Sequence, residues 1–140
     1  MMGGKKEIIT PFMDRVENKL LETAFDKETP NKCLDNYAHL TFLKGVCLRH
    51  LGYTLQSMEC FEDVLGCKKR LEFEQQLLPQ SCFELGSLHR KLGQLSEAKK
   101  WFKRARDDYT GYLTEIMIQY RSGHMLKCIK NEMKEAHAKD

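Results

Sequence analysis

This 140-residue sequence predicts an all-α fold, a solenoid of antiparallel helix pairs with about six helices. Three observations predict this fold class. Apolar residues recur at the three- and four-residue spacing of a helix face, and no window alternates strictly between apolar and polar residues. The sequence also matches itself when it is shifted by 41 residues. The composition, 41% hydrophobic and 31% charged, is that of a globular domain with a core.

The first segments of the chain are predicted to form a flexible leader over residues 1–9 and an N-terminal flanking helix over residues 10–27. Thr10 and Pro11 suit the start of a helix, because threonine can cap it and proline fits the first helical position. An apolar stripe at helical spacing follows, made of Phe12, Met13, Val16, Leu20, Ala24 and Phe25. The polar segment DKETPN then ends this helix.

The remaining chain, residues 32–137, is predicted to form one repeat domain. Its two helix-turn-helix units cover about residues 37–66 and 79–110, and a terminal helix covers about residues 112–137. A solenoid must end in a helix whose outer face tolerates water, which favours a capping role for that last helix. Docking of a partner on the same helix is the alternative.

Four glycines in the repeat have a structural interpretation. Gly45 and Gly86 fall inside helices, where glycine costs about 1 kcal/mol relative to alanine, so we expect a neighbouring helix to pack directly on the bare backbone. Gly52 and Gly93 are expected to end the first helix of each pair in a left-handed turn. The other matched positions are Phe42 with Phe83, Ser57 with Ala98 at the helix crossing, Phe61 with Phe102 between successive pairs, and Val64 with Ala105.

The second unit resembles the tetratricopeptide repeat at its signature positions. These are ELG (84–86), Gly93, Ala98, Phe102 and Ala105. The first unit departs from the pattern, since it has Lys44 before Gly45 and Ser57 and Val64 in place of alanines. The 41-residue period exceeds the usual period of about 34 residues, which places an insertion in residues 66–79.

A narrower resemblance accounts for that insertion. The segments that carry it are LKGVCLRHLG (43–52), CFEDVL (60–65), KKRLEFEQQLLPQSCFELG (68–86) and DDYTGYLTEIMIQYRSGHMLKCIK (107–130). They are similar to the C-terminal part of the tetratricopeptide repeat protein 39 family. Members of that family are several hundred residues long, so the chain is expected to be a C-terminal fragment or a short relative. The resemblance implies a non-catalytic, intracellular repeat protein.

The resemblance also implies where a partner binds, because the first helix of each unit lines the concave groove of such solenoids. A protein partner, a peptide or helix with apolar and acidic groups, is predicted to bind there. The predicted contact residues are Phe42, Val46, Arg49, Phe83, Ser87, Arg90 and Lys91. Two alternatives remain open: Phe42 and Phe83 are core residues, or the chain is a purely structural piece without a ligand.

Two other ligand classes are conceivable for these surfaces. The chaperone carboxylate clamp of some tetratricopeptide proteins is excluded, because Glu84 would stand at a clamp position and repel a carboxylate. A basic stripe could bind nucleic acid or an anionic surface in a salt-sensitive manner; it consists of Lys99, Lys100, Lys103, Arg104 and Arg106, with Trp101 among them. However, three of these cations fall 41 residues after Glu59, Glu62 and Asp63, which favours pairing between adjacent helices or simple solvation.

The sequence predicts neither an enzyme nor a cofactor or metal site. No phosphate-binding loop or nucleophile elbow occurs, and the five histidines lack metal-ligand spacing. The six cysteines (33, 47, 60, 67, 82, 128) contain no CxxC pair, which predicts free thiols and an intracellular, cytoplasmic protein. No apolar run reaches the length of about 18–20 residues that spans a bilayer.

Overall fold

The computed structural model describes residues 2–24, 30–67, 71 and 74–138. Within those ranges the chain forms six helices and no strand, which confirms the predicted all-α class. The helices are α1 (Met2–Ala24), α2 (Pro30–Leu51), α3 (Thr54–Gly66), α4 (Leu77–Lys91), α5 (Leu95–Asp107) and α6 (Glu115–Ala138). They divide into two compact units, Met1–Leu77 and Leu78–Asp140, each of which contains one of the predicted helix pairs.

The start of α1 differs from the prediction, since the helix begins at Met2 and Pro11 lies inside it. The expectation of a flexible leader over residues 1–9 was therefore wrong for residues 2–9. Proline removes one backbone hydrogen bond, but it does not stop a helix that other contacts support. Here α1 packs along α2, with Val16 buried and Phe12 44% exposed. The side chains of Ala24 and Phe25 lie outside the described residues.

The first helix pair, α2 and α3, packs through a glycine. A Cβ atom on Gly45 would lie 2.9 Å from the ring of Phe61, so only a residue without a side chain allows this approach. The Phe61 ring also meets the Phe42 ring edge-on, with centroids 5.4 Å apart. Ser57 donates a hydrogen bond from its hydroxyl to the Gly45 carbonyl at 2.6 Å. The predicted role of Gly45 as a contact point between helices is thus confirmed.

The second pair, α4 and α5, repeats this arrangement 41 residues later. A Cβ atom on Gly86 would lie 2.9 Å from three ring atoms of Phe102, and the Phe83 and Phe102 rings meet edge-on at 5.2 Å. Ala98 is fully buried, as Ser57 is in the first pair. Phe61 and Phe102 each contact the glycine and the phenylalanine of the partner helix within their own pair. Their location between successive pairs stays a prediction.

The turns within the two pairs also match. Gly52 and Gly93 have φ values of +89° and +79°, the left-handed conformation predicted for them. Each glycine N–H donates to the carbonyl three residues earlier, at 3.1 and 3.0 Å. The next residue, Tyr53 or Gln94, donates to the carbonyl five residues earlier, at 2.9 Å in both turns. These bonds form a Schellman motif, which satisfies the last carbonyls of α2 and α4.

The described part of the inserted segment packs back onto α2. Leu71 is buried, and the Glu74 backbone N–H donates to the carboxylate of Asp35, itself buried, at 3.3 Å. The Glu74 side chain lies 3.9 Å from His39 Nδ1. The insertion therefore contributes to the core of the first unit.

The last helix, α6, packs against α5, and its buried residues are Ile118, Ser122 and Ile129. Its second half exposes polar residues, as a capping helix should. The first half of α6 is different, because it exposes the large apolar side chains of Ile116 (81%), Met117 (62%) and Tyr120 (77%). Leu113 (101%), just before the helix, is exposed as well. A simple capping role does not account for that half of the helix.

Candidate functional site

Three of the predicted contact residues lie on one face of α2, in the first unit. Phe42, Val46 and Arg49 are spaced by four and three residues, and all three are half-buried. The Phe42 ring is partly occupied by its contact with Phe61. The Arg49 guanidinium lies 3.5 Å from the ring of His50, at the C-terminal end of the helix.

The other four predicted residues lie on one face of α4, in the second unit. Ser87, Arg90 and Lys91 line an open cleft of about 360 Å³ together with Met125 and Glu132 of α6. A second cleft, of about 260 Å³, is lined by Phe83, Tyr120, Arg121, His124 and Met125. We call the larger of the two the α4–α6 cleft. The sequence predicted the α4 side of this cleft and missed the α6 side.

The predicted cations of α4 differ in their electrostatic state. Arg90 donates from Nε to Glu132 Oε1 at 2.9 Å, and its Nη2 donates to the same oxygen. This hydrogen bond lowers the pKa of Glu132 and raises the pKa of Arg90. Lys91 is exposed and forms no salt bridge with any residue that the structure describes. The cleft therefore presents one compensated ion pair and one available ammonium group.

Phe83 is mainly engaged inside the second unit. Its side chain is 8% exposed, packs on Phe102, and is covered by the Arg121 guanidinium, 4.5 Å from the ring centroid. Such a cation–π contact is typical of arginine above an aromatic face. The contribution of Phe83 to binding a partner would therefore be small.

Three cations of the α5 basic stripe, Lys100, Arg104 and Arg106, form ion pairs with carboxylates close to them in sequence. Lys100 lies 3.3 Å from Glu97, and Arg104 lies 3.8 Å from Asp108. Arg104 also covers the Trp101 ring at 4.6 Å. Pairing with the acidic row of the first unit stays a prediction.

A second basic surface, which sequence reasoning missed, lies between α5 and α6. Cations of both helices line an open groove of about 630 Å³, which we call the α5–α6 groove. The α5 cations are Lys99, Lys103 and Arg106, and the α6 cations are Lys127, Lys130 and Lys134. The sequence signal for this surface was the spacing of the α6 lysines, three and four residues apart, which places them on one side of the helix. The sequence could not show which side of α5 these lysines face.

The cysteines of the described residues carry free thiols, namely Cys47, Cys60, Cys67, Cys82 and Cys128. Burial raises the pKa of the Cys47 and Cys60 thiols, which disfavours the reactive thiolate. Cys33 lies outside the described side chains. Within the described part of the chain, no three His, Cys, Asp or Glu side chains cluster as metal ligands would. In the same ranges, no helix has the length and apolar character needed to cross a membrane.

The paired helices and their glycine contacts define a helical repeat protein of the tetratricopeptide type, and comparisons with known proteins agree. A family model described as Tetratricopeptide repeat matches residues 79–105, which span most of α4 and α5. Tetratricopeptide repeat protein ttc-39B of Caenorhabditis elegans is 35% identical over 88 residues. The chain thus contains a tetratricopeptide repeat in its second unit, and it is similar over 88 residues to a protein of the tetratricopeptide repeat protein 39 group.

The aligned region covers 63% of this chain but 15% of the Caenorhabditis elegans protein, so the chain spans a small part of its relative. No solved structure matches the chain. The match to the family model in the second unit agrees with the sequence pattern, in which Lys44, Ser57 and Val64 depart from the signature in the first unit.

Proposed function

We propose that this chain is a non-catalytic protein–protein interaction module, an adaptor or scaffold, that binds a peptide or helix on the predicted face of α4. The predicted face of α2 is a candidate contact surface of the first unit. Tetratricopeptide repeats are in general protein-interaction or scaffold modules, and the chain contains such a repeat. One observation carries the proposed location: Ser87, Arg90 and Lys91, predicted together from the sequence, line the same open cleft beside α6.

The chemistry of the α4–α6 cleft favours a partner with an apolar side chain near an acidic group. Met125 provides a flexible apolar wall that adapts to different side chains. Lys91 can attract a carboxylate, whereas the charge of Arg90 is already compensated by Glu132. The partner's acidic group would therefore lie at the Lys91 end of the cleft.

Two pairs of variants test this location. Ser87→Trp places a large ring in the cleft, and Ser87→Ala is its control. Lys91→Glu reverses the available charge, and Lys100→Glu makes the same charge change on α5, outside the cleft. We expect proteins captured from a lysate by the wild type to be retained by the two controls. The same proteins should be lost with Ser87→Trp and Lys91→Glu.

Circular dichroism and thermal melting establish first that each variant folds. Identical captured proteins for Ser87→Trp and Ser87→Ala, both folded, would contradict the cleft as the binding site. The variant Val46→Asp, tested by the same capture experiment, then examines the α2 face, where Phe42 and Arg49 lie on the same side of the helix.

The second candidate function is a purely structural one, in which the chain stabilises a larger protein and binds no ligand. The small share of the relative that the chain covers gives it support. It predicts that Ser87→Trp changes the melting temperature without changing the captured proteins. The intracellular location expected from the free thiols stays a prediction.

A further inference from the structure

The α5–α6 groove has a regular construction. Its rim consists of cations spaced at four and three residues on both helices, five exposed lysines and the half-buried Arg106. Its floor is formed by half-buried residues of α6, Gly123, Leu126 and Met133, and His137 lies near its C-terminal end. Leu126 and Met133 are seven residues apart, which places them two turns apart on the same side of α6.

The charge of this groove is largely uncompensated. Among the lining residues there is no carboxylate, whereas six carry a permanent positive charge. Lys99, Lys103, Lys127, Lys130 and Lys134 form no salt bridge with any residue in the described ranges. Arg106, by contrast, is paired through bonds of 2.7 and 2.9 Å to Asp107. Cations gathered in this way repel one another, and an acidic ligand would relieve the repulsion.

We propose that the α5–α6 groove binds an acidic amphipathic helix of a partner protein. A helix placed in the groove would set apolar side chains, seven residues apart, on Leu126 and Met133, as helix-in-groove complexes do. Glu and Asp residues on both flanks of that stripe would meet the lysines of the two rims. The complementary charges would speed association and fix the register of the helix, and the apolar floor would supply affinity.

A nucleic acid fits these observations less well. Proteins that hold single strands combine cations with aromatic platforms for the bases, and no Phe, Tyr or Trp lines this groove. Trp101 is engaged with Arg104 and stacks at 6.4 Å on His89. An apolar floor between two basic rims also gives a sugar–phosphate backbone no matching surface.

A membrane surface fits less well too. Interfacial helices insert the large apolar side chains of one face into the membrane and keep their cations on the polar face. In this groove the apolar residues form the half-buried floor, below the lysines. The exposed apolar residues Ile116, Met117 and Tyr120 are not among its lining residues.

This inference goes beyond the proposed function and does not depend on it. The α4–α6 cleft is lined by Ser87, Arg90, Lys91, Met125 and Glu132, and the α5–α6 groove shares none of these residues. A variant can therefore disable one surface and leave the other unchanged.

The test uses the full chain and a fluorescein-labelled synthetic helical peptide with Leu at two positions seven residues apart and Glu on both flanks. A peptide of the same composition in scrambled order is its control. Binding is measured by fluorescence anisotropy at low and physiological salt. We expect the amphipathic peptide to bind at least about tenfold more tightly than the scrambled one, since scrambling keeps the net charge but removes the apolar stripe and its acidic flanks.

Variants then locate the site. Lys103→Glu/Lys130→Glu should weaken binding of the amphipathic peptide by about tenfold or more. The matched control Lys19→Glu/Lys100→Glu changes the net charge equally, outside the groove, and should stay within about twofold of the wild type. Met133→Gln, which leaves every charge in place, should weaken binding of the amphipathic peptide more than that of the scrambled peptide.

Several results would overturn the proposal. The first two are equal binding of the two peptides and no binding of either. The third is an equal effect of the two charge-reversal pairs. The last is tighter binding of a competing ligand, either a single-stranded oligonucleotide or vesicles of phosphatidylserine and phosphatidylcholine in equal parts. Circular dichroism confirms folding of each variant. Lys103→Gln/Lys130→Gln, which neutralises without reversing charge, replaces the first pair if that pair does not fold.

Discussion

At the scale of single residues, the two internal glycines have the clearest physical role. Gly45 and Gly86 lie in the middle of helices, where their intrinsic propensity is unfavourable by about 1 kcal/mol. Each is the contact point of a phenylalanine ring from the facing helix, at a distance that a Cβ atom would violate. The loss in local helix stability is therefore offset by close packing of the pair.

This explanation predicts opposite effects for two Gly→Ala substitutions. Gly86→Ala would place a Cβ atom 2.9 Å from the Phe102 ring, and overpacking of this kind costs about 1–3 kcal/mol, partly offset by better helix propensity. At Gly123, inside α6, a Cβ atom would meet no atom within 4 Å apart from its chain neighbours and the adjacent backbone of its own helix. Gly123→Ala should therefore raise the free energy of unfolding by up to about 1 kcal/mol.

Urea denaturation followed by circular dichroism measures both changes. Equal stabilisation by the two substitutions would show that the glycine–phenylalanine contact does not limit the side chain at position 86.

At the scale of elements, α6 has sides with different roles: a buried face, a contact with α4 and a row of lysines. Ile118, Ser122 and Ile129 form its buried face, and Glu132 joins it to α4 through Arg90. Another side contributes lysines to the α5–α6 groove. A helix that meets two neighbours in this way sets the shape of both candidate surfaces, which a helix that only covers the end of a core would not do.

The ion pair between Arg90 and Glu132 gives a prediction for this element. Both side chains are about one-third exposed (35% and 34%), so solvent screens the pair. We expect Glu132→Gln to lower the free energy of unfolding at neutral pH by about 0.2–1 kcal/mol. Glu135→Gln, on the same helix and exposed, is the control and should have a smaller effect.

The pH dependence of this difference follows from the lowered pKa of Glu132, caused by the hydrogen bond from Arg90. A carboxylate with a lowered pKa in the folded state stabilises the fold above its ordinary pKa of about 4.3 and loses that contribution as the pH falls through the lowered value. The difference in free energy of unfolding between the wild type and Glu132→Gln should therefore be constant near neutral pH and vanish in acid. If that difference persists in acid, the destabilisation by Glu132→Gln results from changed packing and not from loss of the ion pair.

At the scale of the whole molecule, the 41-residue repeat is present in the structure as well as in the sequence. The glycine contacts, the edge-on phenylalanine pairs and the Schellman turns occur once in each unit with nearly the same geometry. The stability of repeat proteins is a sum of terms within each repeat and terms at the interfaces between neighbours. Equivalent substitutions that disturb contacts within a pair should therefore act separately.

Gly45→Ala and Gly86→Ala test this expectation together. The first would disturb Phe61 and Cys60, and the second would disturb Phe102, so the two share no contacting side chain. The change in free energy of unfolding for the double variant should equal the sum of the single changes within about 0.3–0.5 kcal/mol. A deviation beyond about 1 kcal/mol in chemical denaturation would show that the two pairs are energetically coupled.

The sequence by itself determined the class of fold, the repeat, and the roles of its glycines. These features depend on local spacing: apolar residues at helical intervals, and glycines at positions where a turn or a close contact demands them. The left-handed turns at Gly52 and Gly93 and the packing on Gly45 and Gly86 could be predicted because each requires a residue without a side chain.

Only the tertiary structure decided what could not be derived from local spacing. Pro11 suits a helix start, yet α1 continues through it while packing against α2. The sequence placed Phe83 and Arg90 on one face of α4, but not the side chains of α6, Arg121 and Glu132, that engage them. The α6 lysines likewise become one side of a groove only through the orientation of α6 against α5. Helix orientation depends on the packing of side chains distant in sequence, which no periodicity of a single segment encodes.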